Sequence, residues 1–287
     1  MERIVRRLSG DYSITLDGID ATGVDIDITG TPTATITAPD GSAVTGATVA
    51  LTSGNAVVSV PVESLPGLGK YAGVAVVTIA GVTQSIAFSF ELVGGFYFEP
   101  YELRAFTTGG KADLSSTATY PDATINDRRT GIEQTIERYL GFALVPRGNF
   151  FHEDVTTYTD ELELPHERVT RVISITVDGT ALTVTELAAL TIHKRYGRIT
   201  GSSWGAGQAV TCWYEHGDDE PDRDVVIGAM KLCINRLIPS ATPDNATSLA
   251  TDVGSFRIAT ADGDRYPTGL LDLDAVLKNL KRGVFVG

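Results

Sequence analysis

One segment in the first two-thirds of the chain has a sustained helical period, and it divides the sequence into parts of different character. The segment covers residues 120–145. Apolar residues recur in it at intervals of seven and four, as they do on one face of an amphipathic helix: Ile125, Ile132, Ile136 and Leu140. Asp127, Arg128, Glu133 and Glu137 are expected on the opposite face. Pro121 suits a first helical turn and Gly141 suits a helix end, so the sequence predicts a helix here.

The residues before this helix have the pattern of β-strands. Apolar side chains alternate with polar ones in several short runs, which places one face of each strand in a core. Turn sequences rich in Gly, Pro, Asn and Asp separate the runs. The alternating positions are Tyr12, Ile14, Leu16; Val24, Ile26, Ile28; Ala56, Val58, Val60, Val62; Ala75, Val77, Ile79; and Ile86, Phe88, Phe90. Short strands at this spacing predict an all-β sandwich of the immunoglobulin-like kind.

Charge and length limit the classes of function. A chain of 287 residues suits roughly two domains. The net charge of -13 disfavours a protein that gains affinity by neutralising phosphates, but it suits a surface past which nucleic acid slides. The first residues lack the apolar run of a signal peptide, and no stretch approaches ~18 apolar residues. We therefore expect a protein that is made and used in a cytoplasm. Cys212 and Cys233 are expected to be free, buried thiols.

Residues 94–106 form the boundary after the first domain and are rich in aromatics. Two interpretations stay open: the aromatics pack two domains together, or they cap the core of the sandwich. Residues 107–119 are polar and Gly-rich and suit a flexible link. The expected division is an immunoglobulin-like domain at 1–95, a linker at 96–117, an α+β domain at 118–238, and an arm with a C-terminal helix and tail at 239–287.

The α+β domain alternates hairpins with helices. Residues 169–177 and 181–184 flank Asp178-Gly179, a strong hairpin turn. Residues 192–199 and 209–214 are expected to pair around the Gly-rich 201–207. A second helix begins near Pro221, with Val226, Ala229, Met230, Cys233 and Leu237 as its apolar stripe. Residues 240–266 are polar and irregular, and residues 270–280 form a short amphipathic helix.

The sequence contains fragments of catalytic motifs but no complete catalytic constellation. Residues 201–205 spell G-x-S-x-G around Ser203, a pattern that exposes a nucleophilic serine when it turns from a strand into a helix. Here a strand follows, and the acid before His216 is its direct neighbour Glu215. The acids at 218–224 are typical of a helix start, and His152, His166, His193 and His216 lack ligand spacing. The sequence therefore predicts no enzyme, no cofactor and no metal site.

From residue 118 onward the order of features resembles the head–tail connector, or adaptor, proteins of siphophages. The features that carry the resemblance are residues 137–142 (ERYLGF), 145–148 (VPRG), 162–165 (LELP), 169–175, 177–179, 196–199, Trp204, 210–217 and 221–222. In that family a tyrosine, one residue and a glycine precede the Pro-Asp helix start. Tyr214 and Gly217 depart from this pattern by one inserted residue. Residues 31–90 also resemble the immunoglobulin-like β modules of tailed-phage virion proteins.

The resemblance implies a structural protein of the virion neck, assembled in the host cytoplasm. Its copies would form a ring, with the dodecamer as the family's expectation, between the portal protein and the stopper or tail proteins, and DNA would pass without sequence-specific binding. The opening helix and the Pro221 helix would pack in a small helical core with projecting hairpins. The portal-facing residues would be Leu270, Leu273, Val276, Leu277, Leu280, Val284, Phe285 and Val286.

Three alternatives to this interpretation stay open. The C-terminal helix could pack on its own subunit rather than on the portal. The whole chain could be a monomeric cell-surface or carbohydrate-binding module built on the immunoglobulin-like domain, with affinity centred on exposed aromatics. A serine hydrolase that uses Ser203 is the third alternative.

Overall fold

A computed structural model of the chain describes residues 2–6, 10–19, 25–106, 113–238, 248–251, 254–257 and 268–283. The chain forms two compact units. Unit 1 comprises Met1–Gly95 and Pro146–Gly217, and unit 2 comprises Phe96–Val145 and Asp218–Gly287. Unit 1 thus combines the N-terminal strands with strands that follow the first long helix. The four-part division expected from the sequence stays a prediction.

The N-terminal part of unit 1 consists of two sheets. Its strands are β1 (Glu2–Val5), β2 (Asp11–Leu16), β3 (Ile28–Thr37), β4 (Ala43–Val44), β5 (Thr48–Thr52), β6 (Asn55–Pro61), β7 (Gly69–Ile79) and β8 (Val82–Val93). One sheet has the order β1-β8-β7-β3-β4 and the other β2-β6-β5. Strand β1 runs parallel to β8, and the other neighbouring strands are antiparallel.

The two N-terminal sheets share one core, as the alternating pattern predicts. Tyr12, Ile14 and Leu16 are buried at every second position of β2, and Val58 and Val60 face them from β6. Side chains from the larger sheet complete the core: Ile28, Ile36, Tyr71, Ala75, Val77, Ile79, Phe90 and Leu92. The strand prediction is confirmed for most of the described residues, but Ile26 precedes β3 and Val62 begins a short 3-10 turn. Val24 lies outside the described residues.

The second part of unit 1 contains β9 (Arg147–Asp154), β10 (Thr159–Glu163), β11 (Val169–Val177), β12 (Thr180–Ala181), α3 (Val184–Ala189), β13 (Thr191–His193), β14 (Arg198–Trp204) and β15 (Ala209–His216). They form a four-stranded sheet, β12-β11-β15-β9, and a three-stranded sheet, β10-β14-β13. A second core forms from both sheets, with Leu162 and Ile199 from the smaller sheet and Ile175 and Cys212 from the larger.

The expected pairing of residues 192–199 with 209–214 is wrong. Gly197 has a φ of 63°, so the chain turns at residues 194–197 and β13 pairs with β14 as a hairpin. Strand β14 also pairs with β10, whereas β15 lies in the other sheet between β11 and β9. The physical reason is that β15 is buried on both faces, which suits a central strand better than the arm of an exposed hairpin.

The two faces of β15 enter different cores. Val210, Cys212 and Tyr214 belong to the second core, whereas Trp213 packs in the core of the N-terminal sheets. Alternate residues of a strand point to opposite faces, so β15 is the strand that both cores share. Unit 1 is therefore continuous from the N-terminal sheets into the second pair of sheets.

Unit 2 is mainly helical. Its helices are α1 (Pro100–Ala105), α2 (Asp122–Leu140), α4 (Arg223–Leu237) and α5 (Leu271–Gly283), and β16 (Ser248–Thr251) pairs with β17 (Gly254–Arg257). The core contains Ile125, Ile132, Ile136 and Leu140, as predicted. Gly141 ends α2 in the left-handed conformation, as the sequence predicts, and residues 142–145 follow the helix. Pro121 is the cap residue before the first turn.

One residue of α2 faces the opposite side from the one predicted. Glu133 was assigned to the solvent face but is completely buried, and Arg129 one turn earlier is buried as well. Both side chains bind the segment that opens unit 2. Glu133 Oε1 accepts a hydrogen bond from the backbone N–H of Tyr97 at 2.9 Å. The prediction failed because a charged side chain that binds backbone groups can occupy an interior position.

Candidate functional site

The residues predicted to bind a partner lie on α5, and the structure divides them. Leu273 and Leu277 are buried in the core of unit 2. Leu270, Val276 and Leu280 are half-buried and pack against that core. The apolar stripe of α5 thus packs at least in part on its own subunit. Val284, Phe285 and Val286, also predicted to bind the partner, lie outside the described residues.

Helix α5 approaches α4 closely because α4 has a glycine at the contact. A Cβ atom built on Gly228 would lie 2.6 Å from Cδ1 and 3.0 Å from Cβ of Leu273. Asp222 caps the start of α4 by accepting a hydrogen bond from the N–H of Asp224 at 2.8 Å. The contact between Gly228 and Leu273 therefore sits in the early part of both helices.

A hydrogen-bonded turn fixes the start of α5. Asp274 is buried, and its Oδ1 accepts hydrogen bonds from the backbone N–H of Thr268 at 3.0 Å and from its hydroxyl at 2.7 Å. The Thr268 hydroxyl oxygen in turn accepts from the N–H of Leu270 at 3.2 Å. These bonds join the residues that lead into α5 to its first turn. They hold Leu270 and Leu271 at a defined place beside α4.

A groove of about 490 Å³ lies between α4 and α5. Its walls are mostly apolar and include Leu271, which is 52% exposed. Lys231, Asp224 and Asp272 add charges of both signs to the lining. The lining residues are Asp224, Ile227, Gly228, Lys231, Gly269, Leu270, Leu271, Asp272, Leu273 and Val276. This groove contains three of the residues singled out from the sequence: Leu270, Leu273 and Val276.

A second notable arrangement joins the N-terminal sheets of unit 1 to β15. The indole of Trp213 donates a hydrogen bond to the carbonyl oxygen of Leu68 at 2.7 Å. Its ring meets that of Tyr71 edge-on, with centroids 6.2 Å apart. Tyr71 in turn stacks on Phe90 and donates its hydroxyl proton to the carbonyl of Gly67. Because Trp213 packs in the core of the N-terminal sheets, β15 is anchored to those sheets.

A buried carboxylate strengthens the same junction. Glu215 is 5% exposed and accepts a hydrogen bond from the N–H of Leu68 at 3.0 Å. It also forms an ion pair with Arg6, and Arg171 lies 3.9 Å away. Opposite Glu215 on β9 stands Gly148, where an added Cβ would lie 1.8 Å from the carbonyl oxygen of Leu68. Only a residue without a side chain allows this approach.

Two histidines stack at the end of the second core of unit 1. The rings of His166 and His216 lie 3.9 Å apart and nearly parallel. His166 Nδ1 is 2.7 Å from the hydroxyl of Tyr214, which accepts from Asn149 at 3.0 Å. Burial, with smaller contributions from His166 and Arg147, lowers the pKa of His216 to about 3. Burial also lowers the pKa of His166. Both imidazoles are therefore neutral near pH 7.

The described residues around Ser203 do not have the geometry of a hydrolase active site. Ser203 is exposed within β14, in the three-stranded sheet, and not at a turn from a strand into a helix. His216 is in the four-stranded sheet and stacks on His166. In the described part of the chain no three His, Cys, Asp or Glu side chains are grouped closely enough to hold a metal ion. None of the described helices combines the length and the apolar character that crossing a bilayer requires.

The cysteines are free and buried, as predicted. Burial raises the pKa of Cys212 to about 12 and that of Cys233 to about 11. A thiol nucleophile needs a lowered pKa, so both side chains act as small apolar core residues.

Sequence reasoning missed the clamp that Arg129 forms at the start of unit 2. The Arg129 guanidinium lies 3.3 Å from the centre of the Phe96 ring and donates to the carbonyl of Phe98 at 2.8 Å. It also lies 3.3 Å from the carboxylate of Glu99. Together with Glu133 it fixes residues 96–99 on α2. The aromatic density of residues 94–106 was the signal that this segment is packed.

Comparison with known proteins gives structural likenesses only. No protein-family profile matches the sequence, and no curated protein matches it. A chain in the neck of an empty gene transfer agent particle, computed with C6 symmetry, is similar at a TM-score of 0.38 and 20% identity, over 54% of this chain and 83% of that one. A chain of the native gene transfer agent virion gives 0.38 and 18%, over 54% and 82%. Collagen adhesin from S. aureus gives 0.19 and 12%, over 76% and 79%.

Proposed function

We propose that this chain is a subunit of the head–tail connector of a tailed phage. In this role it is a structural protein without catalytic turnover. Its copies form a closed ring under the portal protein, followed by the stopper or tail proteins, and DNA passes through the ring. The support comes from the ordered sequence features after residue 118 and from the packing that they predict.

The packing of α2 against α4 is the observation that carries the proposal. The resemblance predicts that the opening helix and the Pro221 helix share a small helical core, although about eighty residues of strands, turns and one short helix lie between them. Ile132 and Ile136 of α2 do lie in one core with Ala229 and Cys233 of α4. This packing agrees with the arrangement that the resemblance implies.

The charge of the chain agrees with the passage of DNA. A net charge of -13 repels the phosphate backbone, so DNA can move along such a ring without adhering. Between residues 8 and 95 the one basic residue is Lys70. Sequence-specific binding of DNA is not part of the proposal.

The N-terminal sheets take a bracing role in this proposal. Trp213 and Glu215 on β15 bind the segment around Leu68, so these sheets are fixed to the second part of unit 1. A fixed module can transmit force, whereas a tethered one cannot. We assign it to the outside of the ring, where it braces the connector against the capsid or the tail.

The C-terminal segment is the proposed portal-facing element. Because Leu273 and Leu277 are buried, the surface that α5 offers to a partner consists of its half-buried residues Leu270, Val276 and Leu280, together with exposed Leu271. Residues 284–286 continue this apolar character in the sequence. The portal is assigned as the partner by resemblance.

The carbohydrate-binding alternative is less well supported. It requires exposed aromatics on the N-terminal module, but Tyr12, Tyr71 and Phe90 are buried there. Phe88 is half-buried and packs against the same core. Sugar-binding surfaces present exposed aromatic faces, and none of these four side chains offers one.

Assembly with the portal tests the proposed function. The full chain is mixed with a portal protein and imaged by negative-stain electron microscopy. The proposal predicts a ring stacked on one face of the portal. A chain that stays monomeric beside intact portals would contradict the proposal, and glycan-array binding of that monomer would favour the alternative.

A further inference from the structure

The groove between α4 and α5 is open to an apolar occupant. Ile227 and Leu270 line it together with Leu271, which is 52% exposed. An exposed apolar surface of this kind is typical of a binding site. The charged lining residues, Asp224, Asp272 and Lys231, have both signs, and the other lining residues are apolar or glycine, so an uncharged occupant suits the groove.

The chain contains one segment outside the described residues that suits such an occupant. Residues 284–286 are Val-Phe-Val, three consecutive bulky apolar side chains without a charge. The other segments outside the described residues are polar or contain Gly, Pro and charged residues. By composition, residues 284–286 are therefore the segment of this chain that matches the groove.

Within one copy, Phe285 cannot reach the end of the groove that Leu271 lines. Phe285 is two residues beyond Gly283, where α5 ends, so its Cα lies at most about 7 Å from that of Gly283. The groove wall formed by Leu271–Val276 lies about 10–18 Å back along the helix, at roughly 1.5 Å per residue. Even a sharp reversal of the chain, with the Phe285 side chain extended toward the groove, leaves Phe285 short of Leu271.

We infer that residues 284–286 of one copy bind in the α4–α5 groove of a neighbouring copy. Each copy then donates a tail on one side and accepts a tail on the other. A contact of this head-to-tail kind closes into a ring when the rotation between copies divides the circle. The inference rests on the proposed ring and names the contact that joins its subunits. Leu270, Leu271, Val276 and residues 284–286 then serve the contact between copies, and Leu280 is the residue of the proposed portal-facing set that stays outside the groove.

Engineered cysteines test whether the contact is between copies. The full chain carries Leu271→Cys and Phe285→Cys and is oxidised, with and without portal protein, while buried Cys212 and Cys233 stay inert. We expect a ladder of disulfide-linked oligomers on a non-reducing gel. A cross-link confined to one chain would overturn the inference. Rings that form without any cross-link would overturn it too, but would leave the proposed connector function intact.

Complementation gives a second, independent test. Leu271→Glu blocks the groove and Phe285→Glu blocks the tail, so each variant alone loses self-association by about tenfold or more. Mixed together, they pair as dimers, because the intact tail of the first enters the intact groove of the second. Val184→Glu, at an 84% exposed position of unit 1, is the matched control and assembles normally. If both blocked variants form rings as the unmodified chain does, the inference is wrong.

The two tests separate this inference from the proposed function. Rings on the portal whose formation does not depend on Leu271 or Phe285 contradict the tail contact alone. The absence of any ring, with no disulfide between copies, contradicts both. Normal rings from both blocked variants that no longer bind the portal would assign groove and tail to the portal instead.

Discussion

The indole N–H of Trp213 donates a hydrogen bond to the carbonyl oxygen of Leu68 at 2.7 Å, across 145 positions of sequence. This bond joins β15 to the turn before β7. Trp213 belongs to the N-terminal core, whereas its neighbours Cys212 and Tyr214 belong to the second core of unit 1. A substitution of Trp213 is therefore expected to destabilise both parts of unit 1.

Replacing Trp213 tests that coupling. The chain has two tryptophans, and Trp204 is equally buried, but within the described residues its indole N–H has no hydrogen-bond partner. Trp213→Phe is expected to lower the free energy of unfolding by about 1–3 kcal/mol more than Trp204→Phe, because it also removes the donor to Leu68. Urea denaturation followed by circular dichroism measures the difference.

Each single-tryptophan variant also reports by fluorescence on a different core. The two variants are expected to show transitions that coincide with loss of β-structure, since unit 1 unfolds as one body. Equal losses of stability in the two variants would contradict the role given to the Leu68 bond.

Alanine substitutions of two glycines should change the free energy of unfolding in opposite directions. Gly148→Ala places a Cβ 1.8 Å from the Leu68 carbonyl oxygen, where neither backbone can easily yield, and is expected to destabilise unit 1 by more than about 2 kcal/mol. Gly131→Ala lies within α2, and its new Cβ meets nothing closer than 3.9 Å. It is expected to stabilise by about 0.5–1 kcal/mol, because alanine favours a helix. Thermal unfolding curves decide both signs.

The buried charges of α2 give a third prediction. Glu133→Ala removes the acceptor for the Tyr97 N–H and the carboxylate 3.9 Å from Arg129, so the expected loss is about 3–5 kcal/mol. Glu133→Gln keeps an acceptor oxygen and should lose less. Gln134→Ala, on the exposed side of the same helix, is the control and should change the free energy of unfolding by less than about 0.5 kcal/mol. A small effect of Glu133→Ala would show that the clamp does not hold residues 96–99.

The stacked histidines predict a dependence of stability on pH. The folded-state pKa of His216 is lowered to about 3, and that of His166 is lowered too, both mainly by burial. Below pH 6.5, the usual pKa of histidine, both side chains are protonated in the unfolded chain but stay neutral for longer in the folded chain. The free energy of unfolding should therefore fall as the pH drops from about 6.5, by up to about 1.4 kcal/mol per pH unit for each histidine.

His216→Phe isolates this effect. The ring keeps its place beside His166 but no longer titrates, so the slope between about pH 6.5 and pH 4.5, above the usual range of carboxyl groups, should become smaller. Gly131→Ala removes no titrating group and should move the whole curve without changing its slope. An unchanged slope in His216→Phe would contradict the pKa assignment.

Much of the fold could be predicted because local patterns decide it. The alternation at Tyr12, Ile14 and Leu16 and the spacing of Ile132, Ile136 and Leu140 each report a face that water does not reach. The wrong predictions concern features that contacts between distant parts of the chain determine. Strand β15 could not be assigned to its sheet because a strand buried on both faces has no alternation, and its continuous run VTCWYEH was the available signal.

The candidate site was harder to predict than the fold. The helix that carries Leu273 and Leu277 was recognised, but its period reports that one face is apolar and not what covers that face. The groove depends on Gly228, whose missing side chain lets α5 approach α4. Glu133 was misassigned because a carboxylate in a helical pattern indicates solvent unless its backbone partner is known.

Native mass spectrometry of the full chain mixed with portal protein tests the central claim most directly. The connector account predicts one assembly in which a closed ring of this chain is bound to the portal, with about twelve copies as the number that the resemblance implies and closure as the symmetry requirement. The unmodified chain and the Val184→Glu control should give the same mass. A chain that remains a monomer at every ratio to the portal would contradict the account.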